Sequence, residues 1–172
     1  MAILASPKKR SNRPITEITC RRLEGFILDN LQDGYQAEEK NTLIRITRSD
    51  RLRVARIFLY NEEILRLAIS DNKASSLTVS FTSFFDAYGQ PTTTTCERIN
   101  GLLDCLSHFD VIPFGVRLFR DQEYHLTYLG KGDEKVAVGN GLYTSVYITP
   151  NPNRLIFAGY TSKIDSDARV AE

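Results

Sequence analysis

The 172-residue chain lacks any apolar run close to the roughly 20 residues a helix needs to cross a bilayer. Its opening, Met1-Ala2-Ile3-Leu4-Ala5, is too short for the core of a secretory signal, and its basic residues follow that core instead of preceding it. No membrane partner is expected. Cysteine is sparse: Cys20, Cys96 and Cys105 contain no C-x-x-C pair, which argues against a zinc ribbon or a thioredoxin-type centre. On a helix over 96–106, Cys96 and Cys105 would point to opposite faces with a rise of about 13.5 Å between them, beyond disulfide reach. An odd number of thiols fits a reducing compartment, so the expected location is the cytoplasm.

Histidine is nearly absent. His108 and His125, 17 residues apart among scattered carboxylates, do not form a metal-ligand set. Asp165 and Asp167 have D-x-D spacing but lie in a polar terminal stretch. Cys96 falls at the start of a helical pattern, where the dipole lowers a thiol pKa, yet only those two imidazoles could serve it as a base. A small residue in a first helical turn is the plainer reading. The glycine-rich stretches Gly130-Lys131-Gly132-Asp133 and Gly139-Asn140-Gly141 do not match a phosphate-loop pattern, and no helical pattern follows them. No catalytic residue, metal or cofactor is therefore assigned, and the chain reads as a non-enzyme.

Net charge is also small, +1 overall, so no global field advertises a polyanionic partner. Its distribution is less neutral. Residues 1–60 carry 12 Lys and Arg against 7 Asp and Glu, and the remainder is net acidic. The hydrophobic share of 42% and charged share of 25% are those of an ordinary single domain that folds without staples.

Residues 1–14 read as a flexible basic arm, polar and bracketed by prolines. A helix is predicted over 16–32, on the spacing of Ile15, Ile18, Leu23, Phe26, Ile27 and Leu31 with Arg22 snorkelling, Thr16 as N-cap and Gly34 as the stop. Strands follow at 42–48, 53–60, 64–70 and 76–81. With Asn61 and Glu62 as turn residues, Phe58 would pair with Leu65, Arg56 with Leu67 and Val54 with Ile69. Both hairpin faces would then be apolar and covered. A second helix is predicted over 95–107, capped by Thr94 or Thr95 and burying Ile99, Leu102, Leu103 and Leu106. Strands at 116–119 and 124–129, a long polar loop at 130–141, and strands at 142–149 and 154–160 complete a single domain over 15–160. A polar tail at 161–172 follows. The order helix, four strands, helix, four strands implies an α+β fold, a mostly antiparallel sheet with one or two helices packed on it.

The threonine run 92–95, with the hydroxyls of Thr78, Ser80, Thr82 and Ser83, could bind a sugar or phosphate, though capping and strand propensity also explain it. The basic residues carry the main functional signal. Lys8, Lys9, Arg10 and Arg13 on the arm, with Arg45, Arg48, Arg51 and Arg53 in the first strands, could neutralise phosphates. Phe58, Tyr60, Phe81, Phe84, Phe85 and Tyr88 could stack on bases if exposed.

The segment Leu59-Tyr60-Asn61-Glu62-Glu63-Ile64-Leu65, together with Thr94-Thr95-Cys96-Glu97-Arg98-Ile99-Asn100-Gly101-Leu102-Leu103, resembles a family of small proteins borne by phages and plasmids. That family carries an L-H-G-N-x-I-A hairpin and a T-x-T-T-x-x-R-L-N-x-x-L helix. The likeness covers about residues 53–128; Tyr60 and Asn61 stand where the family has His and Gly. It implies a mobile-element origin, without an assigned activity. Arg98 and Asn100, 200° apart on a helix, are read as unable both to face the core, which makes Arg98 a further candidate contact. The resulting expectation is a non-enzymatic accessory protein of a phage or other mobile element, touching DNA or RNA through its arm. The alternative is a protein-binding module, acting on a host machine or in a virion.

Overall fold

The computed structural model describes residues 14–81, 84–121 and 123–162, with side chains from Thr19 to Thr161. Within them the order is helix, five strands, helix, five strands: α1 (Pro14–Ile27), β1 (Gln36–Glu39), β2 (Thr42–Arg48), β3 (Leu52–Leu59), β4 (Glu62–Ser70), β5 (Lys73–Ser80), α2 (Thr93–His108), β6 (Arg117–Asp121), β7 (Leu126–Lys131), β8 (Glu134–Val138), β9 (Tyr143–Thr149) and β10 (Ile156–Ser162). The fold is α+β, and every strand pairing but the short β8–β9 contact is antiparallel.

Pro14 opens α1, where its missing N–H costs nothing, so Thr16 lies inside the helix and is not its cap. The side chains of Ile15 and Ile18 lie outside the described residues. The helix stops at Ile27, not 32. Asp29 turns left-handed (φ 60°), its N–H donates to Phe26 O at 3.1 Å, and the Asn30 N–H donates to Gly25 O at 2.7 Å. This double closure ends a helix as a glycine usually does. Leu31 kept the helical spacing because it packs on the core from the following loop.

Three hairpins turn on two residues each, Lys40-Asn41, Tyr60-Asn61 and Asp71-Asn72, all six with positive φ. That is the type I′ geometry, whose twist matches the flanking strands. The middle turn is therefore one residue earlier than Asn61-Glu62. Arg56 faces Arg66, Ile57 faces Leu65, and a bulge sets Phe58 opposite Glu63. A one-residue slip exchanges the faces of a strand. The core face of this hairpin is thus Ala55, Ile57, Leu59, Leu65, Leu67 and Ile69, all buried. No described element covers the other face, on which Val54, Phe58 and Ala68 are half-buried.

α1 and α2 pack on each other; α1 also contacts β1 and β2, and α2 contacts β4 and β6. Ile99, Leu102, Leu103 and Leu106 are buried, as their spacing requires. The cap of α2 is Thr92, whose Oγ1 accepts the Thr95 N–H, so Thr94 and Thr95 are already in the helix.

The stretch 130–141 is not one loop, since only residues 132–133 and 139–141 lie outside strands. β7 and β8 form a hairpin turning on Gly132-Asp133. Gly130 is required there because a Cβ would lie 2.1 Å from the Glu134 carbonyl oxygen. β6 pairs with β7, and β9 with β10, as expected from the sequence. β10 runs to Ser162, two residues into the expected tail; the later residues, Asp165 and Asp167 included, lie outside the described residues. Cys20, Cys96 and Cys105 are thiols.

Candidate nucleic-acid interface

The slipped register has a chemical consequence. Gln36 faces Arg45, Arg45 faces Arg56, Arg56 faces Arg66, Arg66 faces Thr78, and Thr78 faces Tyr147. With neighbouring strands about 4.8 Å apart, three arginines form a row roughly 10 Å long on the uncovered face of β2–β4. Like charges directly opposite each other destabilise a sheet. Here one carboxylate offsets part of that cost. Glu63 Oε2 accepts from Arg56 Nε and Nη2 at 3.0 and 2.8 Å, and Glu63 Oε1 accepts from Arg66 Nε at 2.8 Å. Glu63 stands on this face because of the bulge, which sends both Ile64 and Leu65 into the core. Burial pushes its carboxyl up, but hydrogen bonds and charge from Arg66 and Arg56 outweigh that and hold it below the ordinary value.

No carboxylate among the described residues pairs with Arg45. Its Nε donates to Gln36 Oε1 at 3.1 Å, and its guanidinium carbon lies 5.2 Å from the Phe58 ring centre, with that of Arg56 at 5.4 Å. The row keeps a net charge of +2, three arginines against Glu63. The Arg66 and Arg56 side chains are 48% and 37% exposed, so their outer donors face solvent. Tyr147, also exposed, closes the row.

The other expected contacts are distributed differently. Lys8, Lys9, Arg10 and Arg13 lie outside the described residues. Arg48 is paired with Asp29 at 2.5 Å and sits with Arg51 and Arg53 in a polar hollow that also contains Asp50 and Asp71, so local charge is balanced there. Arg53 is buried, against expectation. It donates to the carbonyl oxygens of Phe26 and Ile27, at 3.1 and 2.9 Å, and to Asn72 Oδ1, tying down the C-terminus of α1. Arg98 is buried too, donating to Thr42 Oγ1 at 3.0 Å and Lys40 O at 3.4 Å. Asn100 is buried on a different side of α2, where its amide both donates to and accepts from the Leu118 backbone. Both residues face the interior because α2 is covered on two sides, by the β2–β4 part of the sheet, where Arg98 meets Thr42, and by β6, where Asn100 meets Leu118. Arg53 and Arg98 are therefore structural, with their donors committed inside.

Among the expected stacking residues, Phe81 is fully buried, Phe84 leans on Tyr60, and Tyr88 stacks on His125 with ring centres 4.3 Å apart. Burial pushes the Cys96 thiol up to about 11, so the helix terminus does not activate it. Among the described residues, no three His, Cys, Asp or Glu side chains cluster as metal ligands, and no helix is long and apolar enough to cross a membrane. Arg56, Arg66, Glu63 and Tyr147 escaped the sequence-based site. The signal for them was strand register, which becomes readable once Tyr60-Asn61 is taken as the turn. No family model, curated protein or solved structure matches the chain.

Proposed function

We propose that this chain is a non-enzymatic nucleic-acid-binding protein, and that the arginine row on β2–β4 is its contact surface. The observation carrying this reading is the row itself. Three guanidiniums held in register on an uncovered sheet face cost folding energy that one carboxylate only partly offsets, and a phosphate backbone supplies the missing negative charge. Phe58 and Tyr147 on the same face give bases a surface on which to stack, which favours single strands over duplex. The basic stretch 8–13 would add sequence-independent phosphate contacts. An accessory role in a phage or other mobile element, in a cytoplasmic setting, fits the resemblance of the Tyr60 hairpin and the threonine-led helix.

The test is fluorescence anisotropy of short single-stranded DNA and RNA at about 50 mM salt, repeated as salt rises. Binding should fall steeply with salt. Arg45→Gln and Arg66→Gln should each flatten the log K versus log[salt] slope by about 0.7, the single-strand value per phosphate contact. Removing residues 1–13, with their four basic side chains, should flatten it by up to about 3. Absence of any affinity at low salt would transfer the reading to a protein-binding module.

A further inference from the structure

A second polar concavity lies on the helix-covered side of the sheet, away from the arginine row. It is a cleft of about 570 Å³ between the first turns of α2 and strands β6 and β7, lined among others by Thr93, Cys96, Glu97, Arg117, Arg120 and Thr127. That volume is in the range of small-molecule sites.

Two independent features point to an anion. The first is the start of α2. Thr92 Oγ1 takes the Thr95 N–H, and the first intrahelical donor is Cys96, to Thr92 O, which leaves the N–H groups of Thr93 and Thr94 at the positive end of the helix dipole. The second is Thr127. It is 1% exposed, and its Oγ1 has no hydrogen-bond partner, although its own N–H donates to Gln90 Oε1 at 2.5 Å. A buried hydroxyl without a partner is destabilising, so one kept on a cleft wall marks a place where a ligand atom belongs. Register places Arg120 directly opposite Thr127, on the same face of the β6–β7 hairpin. Arg120 is held in place by Asp86 Oδ2 at 2.6 Å, and Asp86 is itself fixed by the N–H groups of Tyr88 and Gln90.

The remaining wall narrows the ligand. Glu97 is the one carboxylate among the described lining residues, and it would accept hydrogen bonds from hydroxyl or amino groups. Burial keeps the Cys96 thiol protonated, so it adds no negative charge. The Asn100 amide is spent on the Leu118 backbone and takes no part.

We propose that this cleft binds a small organic anion, a phosphate or carboxylate whose oxygens meet Arg120, the first N–H groups of α2 and the Thr127 hydroxyl, and whose own hydroxyl or amino groups meet Glu97. The proposal does not rest on the nucleic-acid reading.

The test is isothermal titration of the full chain with three probes: inorganic phosphate, ribose 5-phosphate and malate. Ribose 5-phosphate or malate should bind with a Kd below about 1 mM, and the stronger of the two tells phosphate from carboxylate recognition. Thr127→Val should weaken the better probe by about tenfold or more without lowering the melting temperature of the unliganded protein. Glu97→Gln should weaken the hydroxylated probes while leaving inorganic phosphate as it was. Arg66→Gln, on the opposite face of the sheet, should leave the affinity for all three probes as it was. The proposal is overturned if no probe binds at about 10 mM, if Thr127→Val binds the probes as the parent does, or if Arg66→Gln removes binding.

Discussion

Glu63 holds Arg56 and Arg66 with the two oxygens of one carboxylate, and its pKa lies below the ordinary value of 4.5. A carboxyl whose folded pKa is depressed stabilises the protein above its unfolded pKa, and that stability is lost as pH falls through the folded value. Glu63→Gln should therefore lower stability at neutral pH by about 0.5–1 kcal/mol, a modest figure because both arginines are partly exposed. The difference from the parent should shrink as pH falls below 4.5 and close as it passes through the depressed folded value, which urea unfolding at neutral and acid pH would reveal. The same substitution leaves the row with three uncompensated charges and should tighten nucleic-acid binding, whereas Arg66→Gln loosens it. Opposite signs from neighbouring residues separate a binding surface from an incidental salt bridge. Leu103, fully buried on α2, gives the control for fold stability: Leu103→Ala should cost about 2–5 kcal/mol in chemical denaturation.

At the scale of elements, the turns decide what the rest of the chain shows. Tyr60-Asn61 places Glu62 inside β4, so Glu62→Gly should destabilise, whereas Asn61→Gly, which relieves a left-handed backbone, should be neutral or stabilising. With a turn at Asn61-Glu62, both glycines would be tolerated. Unfolding midpoints of the two variants check this. The apolar periodicity made α2, the hairpin strands and the antiparallel sheet legible, since period and propensity are local properties. Faces and site were less legible, because they depend on a single residue of register. The bulge at Phe58 and the Asp29 closure of α1 are set by tertiary packing, and neither leaves a periodic trace. β8 was hidden because Gly130, Gly132 and Gly139 resemble a loop, although Gly130 serves a close backbone approach and Gly132 a tight turn. Helical spacing reads Arg98 and Asn100 as unable both to face the core, which holds for a helix with one buried side, whereas α2 has two.

For the whole molecule, the fold separates two chemistries across one sheet. The helix-covered side holds the core and the polar cleft, and the side that no described element covers holds the arginine row. Three thiols, none joined in a disulfide, make folding independent of oxidant, and denaturation without reductant should expose three titratable thiols. The most direct test of the central claim is the salt dependence of single-strand binding by the Arg45→Gln/Arg56→Gln/Arg66→Gln variant, compared with the parent chain after matched melting curves. Loss of the row should lower affinity at about 50 mM salt and flatten the slope by about 2, on the single-strand scale of counterion release. A folded variant that binds with the parent's affinity and slope would contradict the assignment of this face as the nucleic-acid interface.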